Sequence, residues 1–297
     1  MYRWPCTVTK TQFRAAGVLL ALLLCLVGPQ AAAAGAQAVT GAGQPEPRTF
    51  YVGPGQEFTS LTAALQAARD GDTLVVSGVH YGPLVIDKRV TLRGQEGAVV
   101  DGRGKGTVVT VLAPGTVIEG LTIRNSGSVL DQEDAGISVE APGVIVRHNR
   151  IEDTLFGIYL KEAPGAQVLS NTVIGKDLPL AKRGDGIRVW YSAEAHIVGN
   201  RVEHTRDLII WFADRVQVRD NTVRGGRYGI HVMYSEGALI TGNTLTENSV
   251  GAFVMYSRGV TLEQNRLVAN RGATGYGLGL KDMDDVLVRH NRISRNK

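Results

Sequence analysis

VQVRDNTVRGGRYGIHVMYSEGALITGNTLTENSVGAFVMYSRGVTLEQNRLV, residues 216–268, contains the same short phrase three times. An Asn is followed two residues later by an aliphatic, and Asn221, Asn243 and Asn265 are each 22 residues apart. Three positions before each Asn stand Val218, Ile240 and Leu262, with mostly polar or small residues between them. That alternation marks short strands with one buried face.

Outward from this stretch the Asn recurs at Asn149, Asn171, Asn200 and Asn291, giving successive steps of 22, 29, 21, 22, 22 and 26 residues. Gly94 and Gly120 read as holding the same place upstream, so nine coils are legible. A period near 22 is too short for a helical-hairpin repeat and too β-branched for a leucine-rich repeat. It fits one turn of a right-handed parallel β-helix, whose coils bury their inward side chains by stacking on one another. The Asn column reads as architectural, Asn tolerating a left-handed bend while its amide bonds to the Asn one coil away. The column Gly157, Gly186, Gly229, Gly251 and Gly277 reads likewise. The two longest steps place insertions at residues 175–182 and 271–274. The fold class expected is therefore all-β, a solenoid over 73–297. Residues 39–72 provide a linker and a short capping helix, with Leu61, Ala64, Leu65 and Ala68 on one apolar face. The final coil, six residues past Asn291, has no cap of its own, which suggests that the solenoid continues beyond Lys297.

Residues 1–38 have basic positions Arg3, Lys10 and Arg14, a short apolar run and small residues before a cleavage point between Ala34 and Ala38, the layout of a signal peptide for export. This stretch holds three of the 32 Lys and Arg and none of the 28 Asp and Glu, so the net charge falls from +4 to +1 without it, which argues against nucleic acid as a partner. Both cysteines, Cys6 and Cys25, also lie there. The remainder can form no disulfide, and a soft-metal site in it must use Met and His.

One outward column breaks the polar rule of a solvent-facing strand. Ten residues before each Asn it reads Lys161, Trp190, Trp211, Met233, Met255 and Lys281. Two places earlier stand Tyr159, Arg188, Ile209, His231, Phe253 and Gly279. An apolar strip of this kind is ordinarily packed under a loop, here the insertion at 175–182, or covered by a partner. His231 and Met233 leave the same strand face, and Met255 stands one coil above Met233. Two thioethers and an imidazole are soft donors suited to labile Cu(I), with Met283 as a possible fourth. Trp190, Trp211, Phe253, Tyr191, Tyr234 and Tyr256 are candidate partner-interface residues.

The segments GDGIRVWYS (184–192), LIIWFADR (208–215), GRYGIHVMYS (226–235), NSVGAFVMYSRG (248–259) and NRGATGYGLGLKDMDD (270–285) resemble the NosD family, and the similarity runs from about residue 48 onward. The resemblance implies a periplasmic protein, not itself a hydrolase. It implies work with an ABC transporter of a membrane subunit and an ATPase, and with a copper chaperone lipoprotein, in building the copper-sulfide centre of nitrous oxide reductase. Relatives of this family continue past the point where this chain ends.

Two other classes compete. A polysaccharide lyase, hydrolase or epimerase would use Asp185, Asp207 and Asp214 as carboxylates and Trp190, Trp211 and Tyr191 for stacking, but the sequence shows no tight cluster pairing a general base with an Arg. Asp282, Asp284 and Asp285 read as a bend rather than a cation site. A pure docking scaffold would use the same aromatic and Met strip.

Overall fold

The computed structural model describes residues 46–273 and 275–297; the expected signal peptide lies outside the described residues. What it describes is a parallel β-solenoid made of three sheets. Sheet 1 has eleven strands, from Thr49–Val52 to Leu287–Arg289. Sheet 2 has ten, from Val79–Tyr81 to Arg292–Ser294, and sheet 3 nine, from Leu84–Ile86 to Leu278–Lys281. Each coil passes through the sheets in that order. Gln217–Arg219, Thr222–Arg224 and Tyr228–Met233, for example, make up one coil.

The repeat has about eleven turns rather than nine. The earliest coils lack the Asn or Gly that made the others visible: Thr49–Val52 and Thr73–Val76 pair in register ahead of Thr91–Gly94 without it. Sheet 1 also starts ahead of the helix, because Thr49–Val52 pairs with Thr73–Val76. The helix itself, Leu61–Ala67, starts at Ser60, whose hydroxyl accepts from the Ala63 N–H, and buries Leu61, Ala64 and Leu65. Those residues join one continuous core with the inward aliphatics of all three sheets.

The Asn column runs as one line. The Nδ2 of each Asn donates to the Oδ1 of the next at 2.9–3.1 Å, through Asn149, Asn171, Asn200, Asn221, Asn243, Asn265 and Asn291. Each Oδ1 also accepts the backbone N–H of the Asn one coil below, as between Asn221 and Asn243 at 3.0 Å. The left-handed residue, however, is the one before the Asn. Gly120, His148, Ser170, Gly199, Asp220, Gly242, Gln264 and His290 all have positive φ. Gly120 belongs to that column, and Leu121 takes the Asn place, donating its N–H to Asn149 Oδ1 at 3.0 Å. The side chain that closes the ladder is thus distinct from the backbone that makes the turn.

A second amide ladder, Asn248, Asn270 and Asn296, lines the turn between sheets 2 and 3, at 3.2 and 3.0 Å. The Gly column answers to space rather than to φ. A Cβ on Gly229 would lie 2.5 Å from the Gly251 carbonyl oxygen, and one on Gly251 would lie 2.3 Å from that of Gly277.

Two outcomes test this account. Asn243→Ala removes the partners of the Asn221 N–H and the Val218 carbonyl and one of the two partners of the Asn221 amide. It is expected to cost about 2–4 kcal/mol in urea unfolding, and an unchanged midpoint would overturn the ladder's role. Asp72 accepts from the Arg48 N–H at 2.8 Å, the Arg48 guanidinium at 2.6 Å and the Arg69 N–H at 2.9 Å. Burial pushes its pKa up, but those donors outweigh burial and hold it down at about 2, against an ordinary 3.8. Its contribution is therefore complete above about pH 4 and lost as pH falls toward 2. With Arg48 41% exposed, screening limits it to about 1–2 kcal/mol. The stability gap between the parent and Asp72→Asn should be open at pH 6 and closed at pH 2.

Candidate functional site

Sheet 3 stacks the outward columns in the expected register. Lys161, Trp190, Trp211, Met233, Met255 and Lys281 pair in that order, and beside them Tyr159, Arg188, Ile209, His231, Phe253 and Gly279. The strip is far less bare than the sequence suggests. Ile209 and His231 are buried, and Trp190, Trp211, Met233, Phe253 and Met255 are half-buried. The insertion helps to cover it, because Leu178 and Trp190 pack on the small cluster of Ala135, Leu155, Phe156 and Tyr159. Arg188 lies over the Trp211 ring at 5.5 Å and over the Tyr159 ring at 5.0 Å. Tyr228 meets the His231 ring edge-on at 4.8 Å.

The structure thus keeps His231, Met233 and Met255 together: the first two leave one strand face, and Met255 is the in-register neighbour of Met233, one strand spacing of about 4.8 Å away. Met283 is elsewhere. It packs against the hydrophobic core, because after Lys281 the chain has already turned toward sheet 1. It is no fourth ligand for this group.

Below the strip is a cleft of about 300 Å³, whose walls include Asp185, Arg188, Arg206, Asp207, Trp211 and His231. The pairing of carboxylates with arginines that sequence reading missed is here, because Asp185, Arg188, Arg206, Asp207 and Arg227 come from neighbouring coils and meet only when those coils stack. Asp207 is buried and fully engaged. The Arg227 guanidinium donates to both of its oxygens, one of them from Nε at 3.1 Å, and the Tyr228 N–H donates at 3.1 Å. Burial pushes the Asp207 pKa up, but its bonds to His231 and Arg227 prevail and hold it below the usual carboxylate range. An ionised carboxylate only accepts, so the proton of the 3.3 Å contact with His231 belongs to Nδ1. With Nδ1 tied in this way the other ring nitrogen, Nε2, is the one left for a ligand, and among the described residues it is buried without a hydrogen-bond partner.

Asp185 is pushed the other way. Burial, then the nearby charge of Asp207, raise it to about 7. Two carboxylates with pKa values driven apart are the mark of an acid–base pair, yet four donors occupy Asp207, whose side chain is sealed from solvent. It is placed to orient His231, not to take a proton from a substrate. Among the described residues, no three His, Cys, Asp or Glu gather to hold a metal ion, and Asp282 and Asp285 sit in left-handed turns.

On the adjoining edge, Tyr191, Phe212, Tyr234 and Tyr256 stack ring on ring, with centroids 5.0–5.1 Å apart and planes within 10°. All four have φ between 47° and 52°, a costly region for bulky residues that the stack offsets. Phe212 and the second Asn ladder were both missed from sequence. Their signal was present as spacing: the steps from Asn248 to Asn270 to Asn296 equal those from Asn243 to Asn265 to Asn291.

Residues 169–297, which hold the cleft residues from Asp185 to Met233 and the strip as far as Met255, match the family described as NosD, periplasmic copper-binding protein. A Pseudomonas aeruginosa (strain PAO1) protein named probable ABC transporter binding protein NosD is 39% identical over 146 residues, covering 48% of this chain and 34% of the relative. A second Pseudomonas aeruginosa sequence of that name is 34% identical over 80 residues, 27% of this chain and 73% of the relative. The match thus spans about a third of the first relative's length. Among solved structures, the Dettilon tailspike protein superposes with a TM-score of 0.59 at 14% identity, covering 82% of this chain and 62% of its own, a likeness of fold alone.

Arg227→Gln should leave the buried Asp207 charge without its main partner and cost about 3 kcal/mol or more. Adding Asp207→Asn removes that charge and should restore part of the loss in a double-mutant cycle of urea unfolding. Additive losses would mean that the pair is not what secures this wall of the cleft.

Proposed function

Because the chain belongs to the NosD family, we propose that it is a periplasmic accessory factor that handles Cu(I) as cargo through His231, Met233 and Met255. In this reading it serves assembly of the copper-sulfide centre of nitrous oxide reductase. It receives copper from a chaperone lipoprotein and works with the membrane subunit and ATPase of an ABC transporter. The observation that carries the copper assignment is the state of His231. Its Nδ1 is tied to Asp207, its Nε2 has no partner, and the thioether of Met233 leaves the same strand face.

The donor set fits the cargo. Thioether and neutral imidazole are soft ligands that favour Cu(I) over hard cations. A carboxylate behind the ring fixes the tautomer and raises the basicity of the free nitrogen, as it does for many metal-binding histidines. Two or three such ligands without a thiolate bind more weakly than a cysteine site, which suits a carrier that must release its load. The exposed edges of Tyr191, Tyr234 and Tyr256, together with Trp190, Trp211 and Phe253, supply aromatic surface of the kind enriched where proteins dock.

A purified mature chain titrated with Cu(I) against a competing chelator tests the site. Met233→Leu with Met255→Leu keeps the volume and removes both sulfurs, at an expected folding cost under about 1.5 kcal/mol. Copper affinity should fall by about tenfold or more, roughly 1.4 kcal/mol. His231→Gln should weaken it further, and in cells the copper content of the reductase's catalytic centre should drop. A folded triple variant that binds copper as the parent does and still supports that centre would reduce the strip to an interface.

A further inference from the structure

The guanidinium flank of the cleft is unexplained by copper. Arg227 is bound to Asp207 and Arg188 pairs with Glu133 at 2.9 Å. Arg206 lines the same cleft and, among the described residues, has no carboxylate within ion-pair distance and no side-chain hydrogen bond. Two further donors there are idle: among the described residues, the buried Arg188 Nε and Trp211 Nε1 have no hydrogen-bond partner. A buried N–H left unpaired is unfavourable, so two of them beside an unpaired guanidinium make a wall suited to an acceptor.

We propose that this cleft binds a small oxyanion, a carboxylate, sulfate or phosphate group, between the Arg206 guanidinium and the idle N–H groups of Arg188 and Trp211. Such a group answers all three donors and carries the charge to match the guanidinium. An apolar occupant would leave them unsatisfied, and a cation would meet Arg188, Arg206 and Arg227. Asp185 faces the same space, 4.0 Å from Arg188 Nε. Its ionised form opposes an anion, and burial together with the Asp207 charge already makes that form costly. The volume of about 300 Å³ admits an inorganic oxyanion or the acid group of a single sugar-sized molecule, for which the half-buried indole of Trp211 offers a stacking edge. The oxyanion site does not depend on the copper reading, since its donors are all nitrogen and lie on the arginine side.

Isothermal titration of the copper-free full mature chain with sulfate, inorganic phosphate and glucuronate tests it. At least one should bind saturably at one site. Binding by the inorganic ions alone, or by glucuronate alone, each supports the site and identifies the source of the oxyanion. Arg206→Gln, which among the described residues removes no side-chain hydrogen bond or ion pair, should weaken that binding at least tenfold while leaving the thermal unfolding midpoint in place. Asp185→Asn removes an opposing charge without changing shape and should tighten it several-fold. Met233→Leu with Met255→Leu should leave it unchanged while copper binding falls, which separates failure of this proposal from failure of the copper assignment. The proposal is overturned if none of the three probes binds, if Arg206→Gln binds as the parent does, if Asp185→Asn binds more weakly, or if the double Met variant loses the anion.

Discussion

The buried amide line from Asn149 to Asn291 is the constraint on which the rest of the structure depends. Parallel strands of three to six residues contribute few hydrogen bonds each, and a slip of one residue would turn every inward side chain outward. The ladder prevents that slip, because each Oδ1 accepts both the amide and the backbone N–H of the coil below, and each Nδ2 also reaches a backbone carbonyl, as from Asn221 to Ile197 at 2.8 Å. With one bend pinned in every coil from Asn149 to Asn291, the other two sheets inherit the same register there. The stacked rings from Tyr191 to Tyr256 repeat this discipline on the surface.

Register at the bends is what makes a site at all. Met233 and Met255 are 22 residues apart in the chain and adjacent across one strand spacing. Asp207 reaches His231 because the coil beneath is held at a fixed height, with one irregularity between Asp207 and Ile209 in the pairing to the next strand. That local shift brings the carboxylate of one coil under the imidazole of the next. The result is a cleft with two characters: a sulfur and imidazole flank open to a soft cation, and a guanidinium flank whose pairing is incomplete.

The buried charges explain why the two flanks stay distinct. Asp207 carries its charge inside the protein because Arg227, Tyr228 and His231 all bind it. Asp185, a short distance away, has no comparable set of donors and sheds its charge readily. The acid–base reading that two such carboxylates invite fails on access: the ionised member is sealed behind its own partners. What remains is an oriented histidine and a wall of donors, an arrangement suited to holding a ligand.

The sequence by itself determined the fold and the columns. A 22-residue period with inward aliphatics at fixed offsets from Asn has few structural solutions, and the register of sheet 3 follows from counting. The pattern of short segments also carried the NosD resemblance. Counting could not reach the first coils, where Asn is absent, or assign the left-handed φ to the residue before the Asn, since that depends on backbone geometry rather than residue type. Nor could it decide burial. Ile209 and His231 occupy outward positions and are nonetheless buried, His231 between the rings of Tyr228 and Phe253 with Asp207 beside it. Met283, a plausible ligand by composition, faces the core because the chain turns before it. The cluster of Asp185, Arg188, Arg206, Asp207 and Arg227 was invisible along the chain because its members come from different coils. Proximity between coils is a property of stacking, and the charge states that follow from it arise only in the folded protein.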